Sequence, residues 1–307
     1  MMKKIISRVS LFLAAMVCVS VVTCSTAFFG SAFANENVKN NPESVELTAE
    51  YEVMSFNIRT DVDGGNKAWS YRGKYLMDYV RDHGADVVAL QEVKRSQFAS
   101  IKAELSDKYQ MIYHERDTAG DPEGLAILYS YEFELVDSEV FWLSQTPDKM
   151  SLGWDADYHR ICVRAHLRSC YGNHLNVFNT HLEWAGHTAR NEGLKLIVER
   201  ASSKNYPTII CGDFNADEDD DTYRIIKDKF NDTRKYAPVT ESGWTAHDWG
   251  LFDPEWSKPI DFIFVSKDVV SKEFDILKDE IEKSVYYSDH YAVTAKIGYD
   301  YTLKYVD

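Results

Sequence analysis

The sequence predicts an α/β fold in which two mixed sheets pack face to face with helices outside. Three observations carry that expectation. Strand-like and helix-like segments alternate as β-α-β units at residues 51–93 and again around 174–214. Between these units, residues 109–183 read as successive strands and hairpins with little helix. Finally, polar residues able to do chemistry stand where strands stop: Asn57, Glu92, His181, Asp213, Asn215, Asp261 and the pair Asp289-His290. Ligands of α/β proteins gather beyond strand ends, where the scaffold is rigid and the loops are free.

Taken in order, "YEVMSFNIR" (51–59) is a strand, and "WSYRGKYLMDYVRDHG" (69–84) is a helix. Its spacing puts Tyr75, Leu76, Tyr79 and Val80 on one side, and Gly84 ends it. "ADVVALQEV" (85–93) is almost continuously apolar, as a strand covered on both faces must be. A helix at 95–107 follows, then strands "YQMIYHER", "GLAILYS" and "FELVDSEVFWLS". "RICVRAHLRS" and "HLNVFNTHLE" flank Tyr171-Gly172-Asn173 as a hairpin. A helix at 187–203, the strand "TIICGDF", a short helix at 221–229, and the strands "PIDFIFVS" and "YAVTAKIGY" complete the chain.

Residues 1–34 have the layout of a secretory signal peptide. Lys3, Lys4 and Arg8 precede a 14-residue apolar core, and Ala32-Phe33-Ala34 offers a small-residue cleavage site. That core is short of the roughly 18 residues a membrane span needs. Cys24 would be the acylated residue of a lipoprotein, but Val21-Val22-Thr23 lacks the small residue expected just ahead of it. The expected organisation is a signal at 1–34, a polar tether at 35–47 and one catalytic domain at 48–307. The expected product is a secreted or periplasmic, soluble monomer without stable membrane insertion.

Cleavage would leave 31 basic against 49 acidic residues, a formal charge of −18. A protein gripping long nucleic acid normally carries a basic face, because neutralising phosphates supplies most of that affinity. Nucleic acid is therefore disfavoured as a partner, and a small phosphorylated molecule is preferred. Of the cysteines outside the signal, Cys162 and Cys170 lie on one expected strand, roughly 26 Å apart at ~3.3 Å per residue. No disulfide is expected between them.

The stretch "YPTIICGDFNADEDDDTYRIIKDKF" poses the functional question. Asp213, Asn215 and Asp217 occupy the first three ligand positions of a calcium loop. The glycine and glutamate that such a loop needs further on are Glu218 and Arg224 here, so the calcium reading fails. The acidic run 217–221 suits the start of a helix, where aspartate caps and complements the dipole. Asp213 and Asn215 are different: Gly212 frees the backbone to turn, and Phe214 anchors inward between them. One carboxylate and one amide at that spacing suit a water that must be deprotonated and held.

The motifs "MSFNIR", "VVALQEV", "FNTHLEW", "IICGDFNA", "PIDFIFVS" and "YYSDHYAV", in that order, resemble the endonuclease/exonuclease/phosphatase superfamily of metal-dependent phosphoesterases. They span about residues 50–297. The resemblance implies a four-layer α/β sandwich with magnesium, or alternatively manganese, as cofactor. It implies Glu92 as principal metal ligand, with Asn57 beside it and Asp289 as a further contact. Asp213 would activate the attacking water and Asn215 would orient it. His290 would stabilise charge on the phosphoryl oxygens, held by Asp261, and His181 would protonate the leaving oxygen or add positive charge.

Substrate contacts are expected from Arg59, Arg160 and Arg190, which lie near the site strands and could clamp phosphate. Trp69 and Arg72 form a W-x-x-R pattern similar to deadenylase-like and bacterial phosphatase branches, and Trp249 is the candidate for stacking a sugar or base. The expected function is hydrolysis of a small phosphate ester, such as a sugar phosphate or nucleotide. A secreted nuclease or sphingomyelinase-like phosphodiesterase is the alternative, and a non-catalytic binding module on the same fold is the remote one.

Overall fold

The computed structural model describes residues 44–252 and 258–304. The signal segment, Cys24, residues 35–43 of the expected tether and Trp256 lie outside the described residues. In chain order the elements are β1 (Ser44–Asn57), α1 (Trp69–His83), β2 (Val87–Lys94), α2 (Arg95–Leu105), β3 (Tyr109–Glu115), β4 (Glu123–Ser130) and β5 (Phe133–Trp142). There follow β6 (Ile161–Ser169), β7 (His174–His181), α3 (His187–Ser202), β8 (Thr208–Asp213), α4 (Asp221–Lys227), β9 (Asn231–Asp232) and α5 (Thr233–Tyr236). The chain closes through β10 (Val239–Thr240), β11 (Asp261–Val265), β12 (Val270–Leu277) and β13 (Ala292–Lys304).

The strands form two mixed sheets. One has seven strands in the order β10-β12-β13-β1-β2-β4-β3, the other six in the order β5-β6-β7-β8-β11-β9. In the first sheet β1 and β2 are parallel, while β13 and β4 run opposite to them. In the second, β7 and β8 are parallel, while β6 and β11 run opposite. Those directions have one consequence that matters for function. The carboxyl ends of β1, β2, β7 and β8 and the amino ends of β4, β6, β11 and β13 all emerge at the same end of the sandwich.

Alternation along each central strand builds three layers of core. In β2, Val87 and Ala89 face the opposite sheet, where they meet Val163, Val177 and Ile209. Val88 and Leu90 face outward and pack with Leu76, Val80, Ile101 and Leu105 of α1 and α2. On the far side, Ile210 and Phe178 meet Leu194, Ile197, Tyr223 and Ile226 of α3 and α4. The continuous apolar runs in the sequence are thus strands buried on both faces. Each fully buried Val, Leu or Ile contributes about 1.5–3 kcal/mol. The result is a four-layer α/β sandwich.

Several expectations change in detail. β1 begins at Ser44, inside the stretch read as a tether, because it pairs along its length with β13. On α1, Leu76 and Val80 are buried with Arg72 and Met77, but Tyr75 is exposed and stands off the core face. β12, β9, β10 and α5 have no counterpart among the sequence-predicted elements. Gly84 does end α1, at φ 78°, and Asp220 caps α4 by accepting from the Thr222 N–H at 2.8 Å. Cys162 and Cys211 are buried, Cys170 is exposed, and no disulfide joins described residues.

Candidate active site

The shared strand end holds a cleft of about 360 Å³ lined by Arg59, Thr60, Glu92, Asp213, Asn215, Asp289 and His290, with Arg116, Glu123, Tyr158, Arg160, His181 and Trp184. Two devices aim the acidic residues into it. In β2 the pairing with β4 shifts register between Leu90 and Val93, and Glu92 takes φ 59° in that bulge. In β8, Gly212 takes φ 141°, and a Cβ there would lie 1.9 Å from the Thr180 carbonyl oxygen. Only glycine fits, so the turn that presents Asp213 needs it.

A buried polar bridge supports the bulge from the opposite sheet. The Asn179 amide on β7 donates to the carbonyls of Leu90 and Ala126, both at 2.9 Å, and its oxygen accepts from Gln91 Nε2 at 2.8 Å. Leu90 and Ala126 form the last regular rung before the bulge. Asn179 therefore supplies a partner where the ladder is interrupted.

Asn57 joins the two strand ends that carry acid. Its Nδ2 donates to Glu92 Oε1 at 3.0 Å and to Asp213 Oδ2 at 2.9 Å. Its Oδ1 accepts from the Arg59 N–H at 3.0 Å. Asn57 thus turns its nitrogen toward the carboxylates and bridges Glu92 to Asp213. Glu92 Oε2 accepts from the Thr60 N–H at 2.9 Å. Burial would raise the Glu92 carboxyl, but this N–H, the Asn57 amide and nearby cations hold it below its usual range. Asp289 is raised by burial, and its Oδ2 lies 3.6 Å from an Arg59 nitrogen.

Around the would-be phosphorus, His290 Nδ1 is 2.9 Å from Asp261 Oδ2. Burial opposes a charged imidazole there, yet the Asp261 carboxylate, with Asp213 and Asp289 beyond, raises its pKa well above the ordinary value. Asp213 is pushed up to about 7, by burial first and then by the like charge of Asp261. Such a carboxylate is poised to take a proton near neutral pH. Asn215, at φ 47°, gives its Nδ2 to the Leu182 carbonyl at 3.0 Å. Its backbone N–H fixes Asp213 Oδ1 at 2.9 Å.

His181 Nε2 is 3.4 Å from Asp213 Oδ2. Burial and then Arg160 lower its pKa well below the usual value, so it enters the site neutral.

Arg160 and Arg59 line the cleft, but two other expected substrate contacts do not. Arg190 is buried, donating to the Glu183 and Trp184 carbonyls at 3.1 and 3.0 Å and approaching Asp220 at 3.3 Å. It fastens the His181 loop to α3 and the cap of α4. Trp249 sits in a tight turn with its ring 5.5 Å from the Arg72 guanidinium and 5.2 Å from Lys67 Nζ. Arg72 itself is fully buried and reads no substrate. Conversely, Arg116, Glu123, Tyr158 and Trp184 line the cleft without having been expected there. Trp184 carried a signal, since it ends the "FNTHLEW" motif.

Donor chemistry fits a divalent ion. Glu92, Asp213 and Asp289 bring carboxylate oxygens to one cleft, the set preferred by a hard cation. Ligand atoms of Asp213, Asp261 and His290 also come within 4.8 Å of one another. In that trio His290 Nδ1 is committed to Asp261 Oδ2, and its Nε2, 3.8 Å from Asp213 Oδ2, is the ring nitrogen left facing the cleft.

Residues 54–290 match the Endonuclease/Exonuclease/phosphatase family, and the chain belongs to it. Its members are phosphoester hydrolases that typically depend on a divalent metal ion. Among solved structures, an endonuclease/exonuclease/phosphatase from Bacteroides vulgatus is 30% identical with a TM-score of 0.75, covering 81% of this chain and 98% of that one. A mannosyl-6-phosphatase from Bacteroides thetaiotaomicron is 29% identical with a TM-score of 0.73, covering 80% of this chain and 99% of that one. Protein angel homolog 2 from Bos taurus is 25% identical over 224 residues, which is 63% of this chain and 40% of that protein's length. Among the described residues, no helix is long and apolar enough to cross a membrane.

Proposed function

We propose that this chain is an exported, magnesium-dependent phosphatase that releases phosphate from a small sugar phosphate. The observation that carries this reading is the cleft: small, walled by side chains, and with its catalytic groups on the floor. Its volume of about 360 Å³ lies in the range of small-molecule sites. The acidic balance of the chain, 34 basic to 49 acidic residues, supports a small substrate over a nucleic-acid polymer. Similarity to a mannosyl-6-phosphatase supports the sugar. The basic start and apolar core of residues 1–34 support export.

Glu92 and Asp289 would hold the ion, with Asp213 at its edge. When bound, it would neutralise charge on the phosphoryl oxygens. The protein's own groups do the rest. Asp213 accepts a proton from the attacking water as the new P–O bond forms, and Asn215 Oδ1, left open by the Leu182 contact, holds that water. The charged imidazole of His290 meets the equatorial oxygens. The P–O bond to the sugar breaks, and the leaving oxygen takes a proton from water hydrogen-bonded to His181, which regains one from the protonated Asp213 beside it.

The test is hydrolysis by purified residues 35–307 with magnesium, read as phosphate release from hexose 6-phosphates and nucleoside monophosphates, p-nitrophenol release from bis(p-nitrophenyl) phosphate and nicking of plasmid DNA. Hexose monoesters should be the best substrates, chelator should abolish turnover, and Asp213→Ala should be inactive while folded. Nicking of plasmid outpacing monoester hydrolysis would replace this reading with the nuclease one.

A further inference from the structure

Arg116, Glu123 and Arg160 form one wall of the cleft beside the reaction centre, and behind them lies a recess of about 10 Å³, room for a single water molecule, that also touches Glu92 and His181. None of the three takes part in the chemistry above. Arg116, just past the end of β3, pairs with Glu123, the first residue of β4, at 2.6 Å. Arg160 precedes β6 and is 6% exposed. Its Nε approaches Glu183 Oε2 at 3.4 Å. Its Nη1 is buried without a partner, as is Nε of Arg116. The Tyr158 ring lies 5.0 Å from the Arg116 guanidinium and 5.8 Å from that of Arg160. At the rim, Trp184 is 59% exposed.

Two features decide what this wall of the cleft accepts. Leaving a buried guanidinium N–H unpaired costs about 1–3 kcal/mol, which an incoming acceptor would recover. Against that, the two guanidinium charges already face the carboxylates of Glu123, Glu183 and Asp117, the last 3.7 Å from Arg116 Nε. With its cations matched by acids, this wall is not built for a second phosphate. Alternating donors and acceptors instead suit hydroxyls, each of which gives one hydrogen bond and takes others. Exposed aromatic faces at Tyr158 and Trp184 suit the apolar face of a ring.

We propose that Arg116, Glu123 and Arg160 form a leaving-group subsite that reads an uncharged, hydroxyl-rich ring, and so set the substrate specificity of this enzyme. The proposal rests on the phosphatase reading above and assigns Arg160 to hydroxyls rather than to the phosphate clamp its position first implied.

The experiment compares mannose 6-phosphate with p-nitrophenyl phosphate, whose leaving group carries no sugar hydroxyls, in wild type, Glu123→Ala and Glu123→Gln. In Glu123→Ala the ratio of kcat/KM for the sugar ester to that for the aryl ester should fall by about tenfold or more, mainly through KM. Glu123→Gln keeps an acceptor and should recover part of the ratio. A second readout avoids turnover: in an Asp213→Asn background, calorimetry should show mannose 6-phosphate binding weakened by about tenfold on adding Glu123→Ala. Thermal melts establish that each variant is folded.

A selectivity ratio unchanged within about twofold in folded Glu123→Ala would overturn the subsite, since one lost buried partner is worth more than that. So would a preference for hexose bisphosphates over monophosphates, which would mean the arginines bind a second phosphate. Wild type that hydrolyses neither ester would overturn the phosphatase reading itself, an outcome distinct from both.

Discussion

His290 Nδ1 and Asp261 Oδ2 stand 2.9 Å apart, held from both flanks by one residue, Thr245. Its Oγ1 accepts from the backbone N–H groups of Ile260 and Asp261 at 3.0 and 3.1 Å. Its carbonyl accepts from the Tyr291 N–H at 2.7 Å. Asp261→Asn preserves the shape of the pair and removes its charge. Turnover should fall by about two to four orders of magnitude, as for other carboxylates that orient and charge a catalytic imidazole. The melting temperature should change little. An unchanged kcat would reduce Asp261 to a packing role.

Gly212 makes a sharper structural prediction. Alanine there meets two objections at once, φ 141° and a Cβ 1.9 Å from the Thr180 oxygen. Neither can relax alone, because β8 is paired with β7 through Thr180 and with β11 through Phe262. Gly212→Ala should destabilise by roughly 3 kcal/mol or more, measured by urea unfolding. Any folded fraction should have lost activity, with Asp213 displaced from Asn57. A stability loss below 1 kcal/mol, the usual cost of a benign surface change, would contradict the placement of this turn.

Arg72 is the hub on the other side of the site. Its guanidinium donates to the carbonyls of Lys67, Ile58, Arg59 and Tyr287 at 2.6 to 2.9 Å. It thereby ties the strand end bearing Asn57 to the loop bearing Asp289. Trp69 and Trp249 cover it at 5.3 and 5.5 Å. Lysine cannot reproduce that planar fork. Arg72→Lys should cost about 2–4 kcal/mol and lower kcat through misplaced site ends. Trp249→Ala should lower the melting temperature and leave KM unchanged. A large rise in KM would instead restore Trp249 to the substrate.

Those residues show what a sequence reveals and what it hides. Asp213 and His181 were legible because short apolar strands buried on both faces lead straight to them, and His290 because such a strand follows it directly. Arg116 and Glu123 were not, since Arg116 reads as the last residue of the strand "YQMIYHER" and Glu123 as part of the ordinary polar loop "DTAGDPE". Only the strand directions bring its two ends to the same end of the sandwich as Asp213. β12 escaped notice for a local reason. Ser271, Phe274 and Ile276 face inward, but a register shift between Ser271 and Glu273 breaks the alternation that marks a strand. Arg190 looked like a phosphate ligand because an arginine near a site strand has the same letter whether it binds anion or carbonyl. Burial, which the sequence does not state, separates the two.

Asp86 supplies a test of stability far from the chemistry. Its Oδ2 accepts the Glu52 N–H at 2.8 Å at the start of β2. Burial, reinforced by the charges of Glu132 and Glu52, pushes its carboxyl up to about 6 despite that hydrogen bond. The folded group therefore holds its proton more tightly than the unfolded one, whose ordinary pKa is about 3.9. Its contribution to stability is fully present below pH 4 and is lost as pH rises through 6. Asp86→Asn keeps an acceptor for Glu52 and does not titrate. The stability of the variant relative to wild type should increase by about 2–3 kcal/mol between pH 4 and pH 7, with its midpoint near 5, between the unfolded and folded pKa values. The same increment should be absent from Asp86→Asn itself, whose residual pH dependence reports all other groups. Parallel urea titrations at five or six pH values resolve the difference, and a flat difference curve would mean that Asp86 is solvated as an ordinary surface carboxylate.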